Sequence, residues 1–264
     1  MKQKDFFGYI PRKLTKIFNE EELCWFPLIK LKDFIIETIT PNLPNNIPLQ
    51  QPLLRPIVLM PDGSTLEEFD ICSATGKLRV LVDGEVIEDA TILCSGAVFM
   101  DSNIEIGKSV IIEPGALIKG PTIIGNYTEI RQGAYIRGWS IFGSKCVIGH
   151  TTEVKHSIFL DNAKAGHFAY IGDSILGNNV NLGAGTKLAN LPFASKTIAI
   201  PTKNEKIKKI DTGLRKLGAI LGDNVQTGCN SVTNPGVLLG RDSFILPTCS
   251  VAPGYYPKHS IIRK

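Results

Sequence analysis

Residues 106–160 read IGKSVIIEPGALIKGPTIIGNYTEIRQGAYIRGWSIFGSKCVIGHTTEVKHSIFL. An aliphatic or aromatic residue stands at every sixth position: Ile106, Ile112, Ile118, Ile124, Ile130, Ile136, Phe142, Ile148, Val154, Leu160. A small or β-branched residue usually follows four places later, as at Val110, Ala116, Thr122, Thr128, Ala134, Ser140, Cys146 and Thr152. A period of six does not fit the 3.6-residue turn of an α-helix. It fits a coil of three short strands, each contributing one inward anchor to a triangular prism. One coil cannot bury its own anchors, so coils must stack, each on its neighbours. The repeat therefore reads as a parallel β-helix.

The frame continues past Leu160 through Ile171, Leu176, Leu182 and Leu188, with one five-residue step at Ile171 to Leu176. It breaks from about Asn190 to Gly218 and resumes at Leu221, Thr227, Thr233, Leu239, Ile245 and Val251. The break, expected as a loop over about 191–217, carries the basic run TKNEKIKKIDTGLRK. Lys203, Lys206, Lys208, Lys209, Arg215 and Lys216 stand there against Glu205 and Asp211. Such a run is ordinarily a solvated face; it also suits a clamp on a polyanionic cofactor.

The 264 residues divide into 1–90, which ignores the hexad rule, and 91–264, which follows it. In the first part, 28–39 patterns as a short helix, 41–61 as a proline-rich extended linker, and 78–87 as a hairpin turning at Asp83-Gly84. A small α+β cap on the open end of the solenoid is expected, because a bare coil end exposes edges. The net charge of +4 does not point to nucleic acid. Six cysteines without a CxxC pair suggest no disulfide framework; Cys146 and Cys249 fall at small interior positions and read as packing residues. No signal peptide or membrane span is visible, so a cytoplasmic protein is expected.

Polar residues concentrate in 149–191, GHTTEVKHSIFLDNAKAGHFAYIGDSILGNNVNLGAGTKLANL. Arg137 and Lys155 lie 18 apart, one coil, and are expected side by side as a two-cation site for a phosphate. Lys155 and Asp173 share that spacing, but the frame slip between them leaves their register open.

The run TEVKHSIFLDNAKAGHFAYIGDSILGNNVNLGAGT resembles the acetyltransferase half of the bifunctional bacterial enzymes that make UDP-N-acetylglucosamine. The run DTGLRKLGAILGDNVQTGCNSVTNPGVLLG resembles the counterpart in archaeal sugar-phosphate nucleotidyltransferases with an attached acetyltransferase. Together the two runs span most of 98–256. The resemblance implies the left-handed parallel β-helix of the hexapeptide acyltransferases and a homotrimer with active sites between prisms. It also implies transfer of acetyl from acetyl-CoA to the 2-amine of glucosamine 1-phosphate or galactosamine 1-phosphate. By position, His167 resembles the general base; Arg137 and Lys155 the phosphate-binding pair; Tyr170 and Asn181 the sugar-positioning residues; and Glu153 and Asn190 further polar site positions. Ala184 matches the backbone that meets the thioester, and Gly218, Ala219 and Cys229 fall in the stretch that lines the coenzyme A groove.

The chain departs from the family pattern at Leu191, where the bacterial enzymes carry Tyr, and in a longer 191–217 loop. It carries no Gly-rich nucleotide loop ending in Gly-Thr-Arg, and its first 90 residues are too few for the uridylyltransferase half. Pyrophosphorylase activity is therefore not expected, and a separate nucleotidyltransferase would supply that step. Two other readings compete. One is a γ-carbonic anhydrase-like metalloenzyme using His150, His156 and His167; the other is a non-catalytic trimeric scaffold. The acetyltransferase reading assigns no metal ligand.

Overall fold

The computed structural model describes the chain except residues 75–76, 194–196, 202–208 and 264. It is a parallel β-helix with little helix, as the hexads predict. The three long sheets, one of eleven strands and two of eight, are the faces of a triangular prism. The groove face carries Glu129–Ile130, Val147–His150, Lys164–His167 and Asn181–Leu182 in succession. The cation face carries Tyr135–Ile136, Glu153–Lys155, Tyr170–Gly172 and Lys187–Leu188. The covered face carries Thr122–Ile124, Ser140–Phe142, Ile158–Phe159, Ile175–Leu176 and Ala219–Leu221.

The hexad anchors point inward, and those from Ile112 to Ile148 are at most 1 % exposed. Strand registers show where the period changes. Phe142 pairs with Phe159, Ile148 with Ala165, and Val154 with Ile171. The inward residue is therefore Phe159 and not the expected Leu160, which is buried on the other side of the wall. Three steps are shortened to five residues, Val154 to Phe159, Ile171 to Leu176 and Val251 to Tyr256. The physical reason lies in volume. Phe159 packs edge-on against Phe142 with ring centres 5.1 Å apart. The next inward site is then filled by Ala165, with Ala163 beside it. An alanine at an anchor site hides the true frame, while Leu160 offers a false one.

Corners of the prism take left-handed backbone. Asn162, Asn179 and Asn224 have φ of 62°, 58° and 62°, a conformation that Asn tolerates better than most residues. Their amides link into a ladder that ends on Asp242, with links of 2.7, 3.1 and 2.8 Å. The ladder crosses the 190–218 excursion without a gap, because Ile175 and Leu176 pair with Ile220 and Leu221. Within the excursion, Ala199–Pro201 pairs antiparallel with Lys209–Asp211. Lys203, Lys206 and Lys208 of the basic run lie outside the described residues.

The N-terminal region does two things. Ile57–Leu59 pairs antiparallel with Thr91–Leu93, and Ile47 and Leu53 enter the prism core at that end. Residues 1–39 lie instead along the covered face. Helix α1 (Phe26–Thr38) and the segment before it bring Phe6, Trp25, Leu28, Leu31 and Ile35 into one cluster with Ile123, Ile141, Ile158, Ile175, Ile220 and Leu238. Asp223 anchors this strap by accepting the Gly8 N–H at 2.7 Å, and the Asn178 amide donates to the Tyr9 carbonyl at 2.8 Å. The hairpin turns at Asp83 and Gly84, both with positive φ (52° and 84°) as a two-residue type I′ turn requires. No helix among the described residues is long and apolar enough to cross a membrane.

Two glycines of the groove face test this stacking. A Cβ on Gly149 would come within 1.8 Å of the Gly166 carbonyl oxygen, whereas a Cβ on Gly166 meets nothing within 4 Å. Gly149→Ala should therefore lower stability by about 2 kcal/mol or more, and Gly166→Ala should change it by less than about 1 kcal/mol. Urea unfolding of the two variants checks this, and equal losses would contradict the register.

Candidate active site

His167 ends the strand Lys164–His167, where the groove face turns into the cation face. Its neighbour Phe168 makes the corner with φ 34° and is 51 % exposed. His150 lies directly beside His167 in the preceding coil. The imidazole of His167 is exposed, and its backbone carbonyl accepts the Gly185 N–H at 3.1 Å. It opens on a groove of about 720 Å³ whose wall includes Asn181, Ala184 and Cys229, a volume within the range of about 300–1,000 Å³ usual for small-ligand sites. Ala184 has its carbonyl engaged by the Asn230 N–H (2.8 Å), while its own N–H donates to no protein group among the described residues. That N–H is a backbone donor left available at the groove wall.

Arg137, Glu153, Lys155 and Tyr170 lie on the next face. The expected stacking of Arg137 on Lys155 is present: Tyr135 and Ile136 pair with Glu153 and Val154. The two cations are not bare, however. Arg137 Nη1 meets Glu153 Oε1 at 2.8 Å, and Lys155 Nζ meets Asp173 Oδ2 at 3.2 Å. The register left open between Lys155 and Asp173 falls one residue short, with Gly172 beside Lys155, and Asp173 at the next position still reaches Lys155 as an ion pair. The Glu153 hydrogen bond raises the Arg137 pKa against a smaller opposing effect of burial.

Asp173 gathers most of this face. Its carboxylate accepts from His156 Nδ1 at 3.0 Å, from Lys155 and from the Asn190 side-chain amide. Burial would push its pKa up, but the hydrogen bonds from His156 and Asn190 and the charge of Lys155 prevail and hold it below the ordinary carboxylate value. Asn190 in turn accepts the Tyr170 hydroxyl at 3.3 Å. Burial, then the charges of Glu153 and Asp173, raise the Tyr170 pKa.

The expected residues therefore fall into two sets on adjacent faces. His167, Asn181, Ala184 and Cys229 share the groove; Arg137, Glu153, Lys155, Tyr170 and Asn190 do not line it. Asn190 is buried at 8 % exposure with both side-chain polar atoms engaged. Gly218 and Ala219 depart from expectation. Ala219 is fully buried in the prism core, and Gly218 is buried with its N–H on the Asp173 carbonyl at 2.8 Å. The strand Ala219–Leu221 belongs to the covered face, so neither residue lines the groove, and of the expected residues in that stretch Cys229 does. Sequence reasoning missed Arg131, Lys145 and Lys164, which line the groove with His167. Lys164 faces outward because it directly precedes the inward Ala165, an anchor too small to mark the frame in the sequence.

Among the described residues no three His, Cys, Asp or Glu side chains converge as a metal site within the chain. His150 and His167 share one edge, and His156 lies beyond the cation face. A second cleft, of about 440 Å³, lies between residues 9–14, the end of α1 and the covered face. It holds none of the expected site residues, and the chemistry argues for the His167 groove.

Comparison with known proteins agrees with the sequence resemblance. The family model described as "GMPPB C-terminal domain" matches residues 118–209. A "Bifunctional protein GlmU" of Methanococcus maripaludis (strain C7) is 44% identical over 158 residues, 58% of this chain and 38% of that protein. A "Bifunctional sugar-1-phosphate nucleotidylyltransferase/acetyltransferase" of Sulfurisphaera tokodaii is 41% identical over 154 residues, 56% of this chain and 38% of that protein. The GlmU of Stutzerimonas stutzeri is 28% identical over 68% of this chain and 41% of its own length. The chain thus spans about two fifths or less of the curated relatives it matches. A solved Arabidopsis UDP-N-acetylglucosamine acyltransferase is 16% identical over 62% of this chain and 64% of that chain, with a TM-score of 0.26. The chain is a parallel β-helix built on a six-residue repeat. Its likeness is to the acetyltransferase region of GlmU-type bifunctional proteins.

The lowered Asp173 pKa fixes a sign. A carboxyl more acidic in the folded chain stabilises the fold above its unfolded pKa, and that stabilisation is lost as pH falls through the folded value. The urea-midpoint difference between wild type and Asp173→Asn should be full at pH 7 and shrink below about pH 4. A difference constant from pH 7 to pH 3 would show that the negative charge is not what the partners hold.

Proposed function

We propose that the chain is an N-acetyltransferase that moves acetyl from acetyl-CoA to the 2-amine of a hexosamine 1-phosphate, glucosamine 1-phosphate before galactosamine 1-phosphate. The observation that carries this reading is the placement of His167 and the free Ala184 N–H in one groove, within a prism similar to GlmU-type proteins. His167 takes a proton from the acceptor's ammonium, which an imidazole can do near neutral pH. The amine nitrogen then bonds to the thioester carbonyl carbon, and the oxyanion is met by the Ala184 N–H. Collapse breaks the carbon–sulfur bond, and CoA leaves as the thiol after taking up a proton. Asn181 orients the sugar, and Arg137 and Lys155 hold its phosphate. Cys229 lies along the path of the pantetheine arm, and the basic 191–217 loop supports the nucleotide end.

The two sets of residues lie on adjacent outward faces of a triangular prism, and those faces diverge from their shared edge. One small sugar cannot touch the middle of both faces of one chain. The covered face is occupied by residues 1–39, which leaves the groove and cation faces for contact with other copies. A closed threefold ring sets the cation face of one chain against the groove face of the next. The proposed assembly is therefore a homotrimer with three composite sites, each joining His167 of one chain to Arg137 and Lys155 of another.

Release of free CoA thiol from acetyl-CoA with each hexosamine 1-phosphate tests the reaction. His167→Ala is expected to lower turnover by about 10²–10⁴ while keeping the assembly; near-normal turnover would remove the base assignment. Co-assembly of His167→Ala with Lys155→Ala chains tests the composite site. Mixed trimers should regain turnover that neither variant shows alone, and no regain would place the whole site on one chain.

A further inference from the structure

We infer that Asp173 is a positioning residue, whose buried carboxylate holds Lys155 and Asn190, and through Asn190 Tyr170, where the acceptor's anionic group is received. The inference rests on the proposed reaction. Its observations are geometric. Asp173 occupies a corner with φ 48°, and the backbone there does not require a charge. Trp139 and His156 make the same corner in the two preceding coils, with φ 52° and 46°, and neither is an acid. Yet the Asp173 side chain is only 8 % exposed, and burying a carboxylate is costly unless donors surround it.

The donors reach it from two other coils. Lys155 and His156 come from the end of the preceding cation-face strand, at 3.2 and 3.0 Å. Asn190 comes from the residues that leave the prism for the excursion. Because the Asn190 Nδ2 is committed to Asp173, its Oδ1 is turned toward the Tyr170 hydroxyl. Gly172 keeps this arrangement open. A Cβ there would stand 2.6 Å from Asn190 Nδ2 and 2.7 Å from the Tyr170 hydroxyl oxygen.

The cation face thus contrasts one tethered cation with one loose one. Lys155 is 23 % exposed and fixed on a buried acid, whereas Arg137 is 40 % exposed and paired with a half-exposed glutamate. A flexible ammonium held in one place presents its remaining donors to a phosphate in a fixed direction. Asp173 touches neither the acceptor nor the thioester in this scheme. It acts through Lys155 and Asn190.

The test is Asp173→Asn, which keeps a residue suited to the corner but removes the charge and one acceptor oxygen. The KM for glucosamine 1-phosphate is expected to rise about tenfold or more, with kcat and the KM for acetyl-CoA within about threefold of wild type. Added to Lys155→Ala, the same change should cost little more, because the two act as a unit. Independently of activity, reductive methylation mapped by mass spectrometry should label Lys155 faster in Asp173→Asn, with Lys164 as the internal reference. Asn190→Ala serves as a second variant: it leaves Lys155 held, so Lys155 labelling stays slow while the acceptor KM rises by less.

Unchanged Lys155 labelling in Asp173→Asn, or faster labelling with an unchanged acceptor KM in an active enzyme, overturns the inference. If the wild-type protein turns over no amino-sugar phosphate, the proposed reaction fails, and the labelling alone then decides whether Asp173 holds Lys155.

Discussion

The hydrogen-bond ladder between successive coils is the constraint on which the rest of the structure depends. Parallel strands must stay in register on all three faces at once, so each coil must match the perimeter of its neighbours. Apolar anchors supply the driving force, but register is what forbids improvisation. A coil that shortens by a residue shifts every outward side chain after it. In this chain all three shortened steps fall on the passage from the cation face to the covered face, Val154 to Phe159, Ile171 to Leu176 and Val251 to Tyr256. The second follows the first by one coil, so neighbouring corners shorten together and the ladder survives. The same shortening brings Asp173 under Lys155 and His156. The polar centre of the cation face is thus a direct product of how the prism adjusts its circumference.

Much of this was legible in the sequence. The hexads give the prism, and the 18-residue spacing of Arg137 and Lys155 gives their stacking, because no shortened step lies between them. Where a shortened step intervenes, the reading stops. Leu160 satisfies the pattern of apolar residues and is fully buried, yet it faces outward into a different cluster. The true anchors, Phe159 and Ala165, differ so much in volume that neither announces itself alone. Only their packing with Phe142 explains both.

The strap of residues 1–39 had a signal of its own. On one face the anchors are preceded by a second aliphatic, as in Ile123-Ile124, Ile141-Phe142, Ile158-Phe159, Ile175-Leu176, Ile220-Leu221 and Leu238-Leu239. In a strand, adjacent residues point to opposite sides, so this column of outward aliphatics requires a cover, which Trp25, Leu28 and Leu31 supply. The partition of the site residues was less accessible. Spacing places Asn181 and Tyr170 within one coil of each other, but two prism edges and the covered-face strand Ile175–Leu176 lie between them. Proximity in sequence along a β-helix is not proximity in direction.

The pairing of the cations has a consequence for recognition. A phosphate approaching Arg137 competes with Glu153, but an exposed ion pair contributes only about 0–1 kcal/mol, so the exchange costs little and the guanidinium can turn to the ligand. Displacing Asp173 from Lys155 is different, because it would leave a buried carboxylate with one donor fewer. In the proposed reaction the phosphate therefore adds to Lys155 without replacing Asp173, and takes Arg137 from Glu153. The freed Glu153 carboxylate stays within the same face as Tyr170, its direct register partner, where it can accept a hydroxyl or ammonium hydrogen of the sugar. Both cations are in this way balanced by carboxylates of the same chain, and in the proposed reaction binding rearranges one weak surface pair instead of two.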